Sequence, residues 1–335
     1  MKATEALQVI LKAKTAEELF GDLTNTVAVA AMYRRLARRS HPDMFADTRD
    51  KIQAQQAFIK LTELWNIVNK TTTTKKDVIL TKKHEYLLGD IITKTDVFTV
   101  HNATYDAGYK NAELFVTNSP KDADLAAAHI AALKKVKTDV PDDYKPYFPK
   151  FIENIRYRQN GTDLVISAAE KVDGMFSLRQ VLERYPKGIN AKDVAWIFRR
   201  ALVALGNTHD IGLVHGAPNL DALWIHPELH GLLLNHWGYS VNSGEPLKAL
   251  PQEFKTDYPE KVFNKEPVDY KLDLMLAAKT MLSLLDEKAP KQLNTFFKGC
   301  ALASTPIAAE LLYEFDELLV RLWGERKFHA FTMAE

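Results

Sequence analysis

The segment 32–44 constrains the fold of this chain most, because it encodes a basic helix with a defined end. Tyr33 and Leu36 recur at helical spacing, and arginines occupy most of the remaining surface. Pro42 has no amide hydrogen to donate and disfavours helical dihedral angles in the residue before it. The helix is therefore predicted to end near Ser40 and to be followed by an exposed turn.

This turn presents two polar side chains, His41 and Asp43, beside the cationic helix. The whole chain carries a net charge of only +1, so any electrostatic recognition must be local. A cationic helix beside a rigid polar loop is suited to docking the acidic surface of a partner. The candidate docking residues are Arg34, Arg35, Arg38, Arg39, His41, Pro42 and Asp43.

Helical patterns flank this segment on both sides. Residues 5–23 predict one or two short helices, and the basic helix itself is expected over 27–40. A second long helix is predicted over 51–68, and two long helices joined by a loop can pack as an antiparallel hairpin. The simplest interpretation is a small helical bundle in which the proline turn is only a turn. The apolar residues of the second helix at helical spacing are Ile52, Phe58, Ile59, Leu61, Leu64, Trp65 and Val68.

The residues around the turn are more characteristic than His41-Pro42-Asp43 alone. Tyr33 precedes His41 by eight residues, and Phe58 and Trp65 lie about two turns apart on the same face of the next helix. Over roughly residues 5–69, this combination closely resembles the J-domain of DnaJ-type co-chaperones. The resemblance implies that the candidate docking residues contact a DnaK-type 70-kDa heat-shock chaperone and that this contact stimulates the chaperone's ATPase.

The chain departs from that family in three places. Leu19-Phe20-Gly21 stands where the usual first helix begins with Tyr-x-x-Leu-Gly. No Gly/Phe-rich linker follows, and no Cys-rich zinc module is present. The J-domain-like region is therefore expected at 1–69, joined to something other than the rest of a DnaJ protein by a polar linker at 70–82.

A region of different character begins after this linker. Strands are predicted over 86–88, 97–101, 113–117, 151–157 and 163–168, with a helix over 123–136. Helices are predicted over 190–208, 270–285, 290–302 and 307–323, with a small hairpin of strands at 222–225 and 232–234. The fold class predicted for the whole chain is α+β and multidomain.

This order of elements resembles the protein-kinase fold over roughly residues 84–333. The resemblance implies a β-rich small lobe at 83–170 and a mostly helical large lobe at 171–335. Residues 212–217 match the catalytic loop and residues 233–238 match the metal-binding position. Asp273 matches the buried aspartate that ties down the catalytic-loop backbone in kinases.

The catalytic groups of a kinase are absent from the matching positions. The glycine-rich loop is expected between 88 and 103, where only Gly89 is present, and the strand lysine falls among apolar residues at 114–116. The partner glutamate falls within 126–130, which contains no carboxylate. Phosphoryl transfer needs groups that hold phosphates and magnesium, so we expect a pseudokinase that is not an enzyme. The catalytic aspartate, catalytic-loop asparagine and magnesium aspartate align with Ala217, Ala222 and His236.

Composition and the remaining motifs add only exclusions. A single cysteine, Cys300, permits no intrachain disulfide, and no apolar run is long enough to suggest a transmembrane helix. We therefore expect a cytoplasmic protein without membrane or nucleic-acid partners and without a cofactor. A zinc site is conceivable but not favoured, because the spacing is not that of a ligand set. The histidines that crowd one part of the sequence are His209, His215, His226, His230 and His236.

Three functions stay open at this stage. The favoured one is a co-chaperone in which the kinase-like region binds an unknown client, with the loop-rich segment 239–267 as its candidate surface. The second is a scaffold that sequesters the chaperone without stimulating it. The third is an atypical kinase-fold enzyme that uses Asn219, Asp221 and His236.

Overall fold

In the computed structural model, the chain forms two compact units, Met1–Asp77 and Val78–Glu335. The structure describes residues 3–23, 26–45, 47–71, 78–106, 108–159, 161–302, 307–325 and 327–333. None of the helices in these ranges is long and apolar enough to cross a membrane.

The first unit is helical. It contains α1 (Ala3–Lys12), α2 (Ala16–Phe20), α3 (Thr26–Ser40) and α4 (Thr48–Thr71), with a 3-10 turn at Pro42–Met44 between the two long helices. α3 buries Val29, Tyr33 and Leu36, which recur at helical spacing on one face. The ring of Tyr33 stacks on the indole of Trp65 from α4 at 4.4 Å between centroids, which joins the two helices through their aromatic side chains.

One prediction for α4 is wrong. Ile52 and Ile59 were expected to share the buried face with Leu61, but they are 52% and 60% exposed. Ala54 and Ala57 occupy the buried face instead, because small side chains let α4 lie close to the neighbouring helices. The large isoleucines therefore point to the opposite side of the helix.

The second unit begins with an antiparallel sheet. Its strands are β1 (Val78–Leu80), β2 (Glu85–Lys94), β3 (Phe98–Tyr105), β4 (Lys110–Thr117), β5 (Phe151–Gln159) and β6 (Thr162–Glu170). They lie in the order β1-β2-β3-β4-β6-β5. β1 lies within the segment 70–82 that the sequence predicted as a linker, because it pairs with β2 from Val78 onward. The helix α5 (Ala123–Asp139) packs against β5 and β6.

A helical lobe follows the sheet. Its helices are α6 (Leu178–Arg184), α7 (Ala191–Asp210), α8 (Glu260–Phe263), α9 (Tyr270–Leu284), α10 (Lys291–Leu302) and α11 (Ala308–Trp323). The short strands are β7 (Phe176–Ser177), β8 (Leu213–Val214), β9 (Leu223–His226), β10 (Gly231–Leu234) and β11 (Val241–Asn242). α7 lies at the centre, and its fully buried Phe198 meets Phe297 of α10 and Phe315 of α11 edge-on at 5.0 Å.

Candidate functional site

The arginine face of α3 lies opposite its buried stripe. Arg34, Arg35 and Arg38 are exposed and Arg39 is half-buried, because Leu36 and the other core residues occupy the opposite face of the helix. Within the described part of the chain, no ion pair joins Arg35 or Arg38 to a carboxylate. The face therefore presents a positive potential to solvent.

The turn after α3 is compact. The amide of Met44 donates to the carbonyl of His41 at 3.0 Å, and buried Phe45 anchors the far end. His41 is exposed, and its ring lies edge-on to Phe58 of α4 at 5.5 Å. The backbone of Asp43 belongs to the 3-10 turn, and its side chain lies outside the described residues. The turn thus holds His41 next to the arginine face.

In the second unit, three side chains occupy the positions that the kinase resemblance assigns to the lysine, glutamate and magnesium aspartate. Phe115 of β4 lies 5.0 Å from the ring of His129 on α5 and 5.5 Å from the ring of His236. All three side chains are buried. The positions that the resemblance assigns to a lysine, a glutamate and an aspartate therefore form a buried aromatic cluster.

Burial keeps the two histidines of this cluster neutral. Loss of solvation lowers the pKa of His129 to about 3 and that of His236 to about 4. Nδ1 of His129 accepts a hydrogen bond from the amide of Trp237 at 3.1 Å. Neither ring nitrogen of His236 has a hydrogen-bond partner among the described residues.

The tip of the β2–β3 hairpin lies within the segment 88–103, where the kinase resemblance predicts a glycine-rich loop. Phe98 is 2% exposed, and its ring lies 4.9 Å from that of His129 and 6.0 Å from that of Phe115. Nδ2 of Asn118 donates to the carbonyls of Thr95 and Asp96 at 2.7 and 3.1 Å. The hairpin tip is therefore fixed, and its Phe98 ring packs into the cluster of Phe115 and His129.

The loop matching the catalytic loop keeps its architecture without its acid. The two carboxylate oxygens of Asp273 accept hydrogen bonds from the amides of His215 and Gly216, both at 2.8 Å. This geometry confirms the predicted structural role of Asp273. Ala217, the next residue, is buried and offers no group that accepts a proton.

Two of the three residues nominated for an atypical enzyme, Asn219 and Asp221, are already engaged. Oδ1 of Asn219 accepts hydrogen bonds from the amides of Asp221 and Ala222 at 3.0 and 3.2 Å. The guanidinium of Arg179 binds both carboxylate oxygens of Asp221 and also both oxygens of Glu253, the latter at 3.0 and 2.7 Å. Arg179 thus ties α6 to the loop and to the 251–254 segment.

A buried carboxyl group on β4 was missed by sequence reasoning. Glu113 of β4 is 3% exposed, and burial raises its pKa to about 7 although the charge of Lys171 opposes this shift. Lys171 in turn donates to Oδ1 of Asn102 at 2.6 Å. The signal in the sequence was an acidic residue directly before the apolar residues 114–116. Only the fold shows that this side chain faces inward.

The five histidines considered for zinc are dispersed. His209 contacts Asp273 at 3.1 Å, and His230 stacks between Trp196 and Phe328 at 4.2 and 4.3 Å. In the ranges the structure describes, no group of three or more His, Cys, Asp or Glu side chains is placed to hold a metal ion.

Comparison with solved structures identifies the architecture of the chain. The chain is similar to the crystal structure of the BubR1 kinase domain, with a TM-score of 0.56 and 13% sequence identity. The match covers 73% of this chain and 83% of that chain. The chain therefore contains a kinase-like fold with a β-sheet lobe and a helical lobe. No protein-family model matches the chain, and no curated protein matches it.

Proposed function

We propose that this chain is a co-chaperone that docks through the first unit on a DnaK-type 70-kDa heat-shock chaperone and stimulates its ATPase. The observation that carries the proposal is the exposed arginine face of α3 ending at the exposed His41 in a compact turn. Such a surface suits a negatively charged partner, whose approach it accelerates and orients.

The kinase-like unit is proposed to act as a scaffold for a client and to transfer no phosphate. Phe115, His129 and His236 support this view, because none of them can replace a lysine, a glutamate or a magnesium ligand. Joining a client-binding unit to a chaperone-docking unit makes the second contact intramolecular and raises its effective concentration.

Two alternatives differ from this proposal in one measurable property each. A scaffold that sequesters the chaperone would bind it without changing ATP turnover. An atypical enzyme would bind magnesium and nucleotide, and a ligand at a hundred times its dissociation constant stabilises a protein by about 2.7 kcal/mol. A thermal shift assay with ATP and magnesium therefore tests whether the kinase-like unit is only a client scaffold, in which case the melting temperature should not change.

Charge reversal on the arginine face tests the docking surface. Arg35→Glu and Arg38→Glu should each weaken binding to a 70-kDa heat-shock chaperone by about tenfold or more, because like charges then face each other. The weakening should shrink as salt rises above about 0.15 M, since exposed charges are screened. Fluorescence anisotropy on the full-length chain measures both effects.

Lys51→Glu supplies the matched control, because Lys51 is exposed on α4 and lies outside the candidate docking residues. It changes the charge by the same amount and should leave the affinity close to wild type. Equal weakening by all three variants would show that only net charge matters, and the proposed docking face would then be wrong.

A further inference from the structure

A cavity of about 310 Å³ opens beside the buried aromatic cluster in the second unit. Its walls come from the β2–β3 hairpin tip, the 217–221 loop, the 236–239 turn and the 251–254 segment. This volume lies at the lower end of the roughly 300–1,000 Å³ typical of small-molecule pockets. The cavity is thus large enough for a small ligand or for one inserted side chain.

His236 gives this cavity an unsatisfied polar wall. Its side chain is 6% exposed and lines the cavity, and both of its ring nitrogens are buried and unpaired among the described residues. A neutral imidazole offers one donor and one acceptor. A buried polar group without a partner is costly, so a ligand that pairs with this ring gains free energy on binding.

The charges around the cavity favour a cation. Asp96, Asp221 and Glu253 line it together with Arg179 and Lys94, which leaves one negative charge in excess. Oδ2 of Asp96 accepts a hydrogen bond from the amide of Gln252 at 2.7 Å, which holds this carboxylate at the cavity wall. The aromatic rings of Tyr239 and Phe254 complete the lining and can contact a cation through their faces.

Two other kinds of ligand fit less well. Phosphate groups would meet three carboxylates here, and of the two lining cations Arg179 is already bound to Asp221 and Glu253, which leaves only Lys94. A metal ion is disfavoured because no group of three or more metal-ligating side chains is assembled in the described ranges. An organic cation, in contrast, bonds to carboxylates and to an imidazole acceptor without a fixed coordination geometry.

We propose that this cavity binds an organic cation, a guanidinium or primary ammonium group, between the carboxylate of Asp96 and the ring of His236. The inference concerns the kinase-like unit alone and does not depend on chaperone docking. The cation has two possible sources, a free small molecule or an arginine or lysine side chain of a partner polypeptide, and both present the same group.

Calorimetric titration of the full-length chain separates these sources. The probes are agmatine, a blocked Gly-Gly-Arg-Gly-Gly peptide and the same peptide with citrulline, which is neutral, in place of arginine. Both guanidinium probes should bind saturably and the citrulline peptide should bind at least about tenfold more weakly, since hydrogen bonds to charged groups are the stronger ones. Tighter binding of the arginine peptide than of agmatine identifies a polypeptide source, and the reverse order identifies a free cation.

Asp96→Asn should weaken the binding of both guanidinium probes by about tenfold, because it removes the charge and retains an oxygen for Gln252. Asp90→Asn is the matched control, since Asp90 is exposed on β2 outside the cavity lining, and it should bind like wild type. Absence of saturable binding to wild type, equal binding of the citrulline peptide, or wild-type affinity in folded Asp96→Asn would each overturn the proposal.

Discussion

Acidification should destabilise the kinase-like unit through two of its buried histidines, His129 and His236. The folded-state pKa values of His129 and His236 are about 3 and about 4, both below the unfolded value of about 6.5. Below pH 6.5 the unfolded chain therefore binds more protons than the folded chain, and stability falls as the pH falls toward 4. Above pH 7 this contribution to stability is fully present and no longer changes.

The size of the effect follows from the width of this pH window. Each lowered pKa costs about 1.4 kcal/mol per pH unit below the unfolded value. Between pH 7 and pH 5, each histidine therefore contributes a loss of about 2 kcal/mol. Glu113 opposes this loss, because its pKa of about 7 lies above its unfolded value, and its protonation in the folded chain gains about 2 kcal/mol over the same range. The net loss of about 2 kcal/mol is still a substantial part of the 5–15 kcal/mol that stabilises a typical domain.

Urea unfolding at pH 7 and pH 5, with pulse hydrogen exchange on peptides from α5, measures this loss in the second unit. His236→Asn removes one titrating ring, and asparagine tolerates the left-handed backbone at this position, where φ is 59°. Over this pH range, the variant should lose about 2 kcal/mol less than the wild type. Peptides from α4 report the first unit in the same sample. An identical pH dependence in the variant and the wild type would show that the pKa of His236 is not lowered in the folded chain.

Two further substitutions test the loop beside this cluster. Asp273→Asn should lower the free energy of unfolding by about 1–3 kcal/mol, because one of the two amides at His215 and Gly216 loses its acceptor; urea denaturation checks this value. Gly216→Ala should cost at least about 1 kcal/mol, since Gly216 has a φ of 81° and a Cβ there would lie 2.5 Å from the carbonyl oxygen of Tyr239. Wild-type thermal stability of Gly216→Ala would contradict the close approach of these two backbone segments.

Periodicity predicted the long elements well. The helix expected over 27–40 is Thr26–Ser40, and the helix expected over 190–208 is Ala191–Asp210. Both have a continuous apolar face and one clear boundary. Pro42 follows the end of the first helix, and Asn190 caps the start of the second. Local sequence is sufficient here because the buried face repeats with the helix.

Contacts between distant segments could not be predicted in this way. Residues 327–333 have no periodic pattern, yet His329 pairs with Asp193 at 2.9 Å and Phe331 is buried. The exposure of Ile52 and Ile59 has the same origin, because Ala54 and Ala57 mark the packed face only when the neighbouring helices are known. The cavity at His236 likewise joins four segments that are far apart in the chain.

The most direct test of the proposed function is single-turnover ATP hydrolysis by a 70-kDa heat-shock chaperone in the presence of the full-length chain. If the first unit docks as proposed, wild type and a control, His101→Gln in the second unit, accelerate hydrolysis. His41→Gln and Asp43→Asn should leave it at the unstimulated rate while circular dichroism shows that both remain folded. No acceleration by wild type, or full acceleration by both loop variants, would show that the turn after α3 does not stimulate the chaperone.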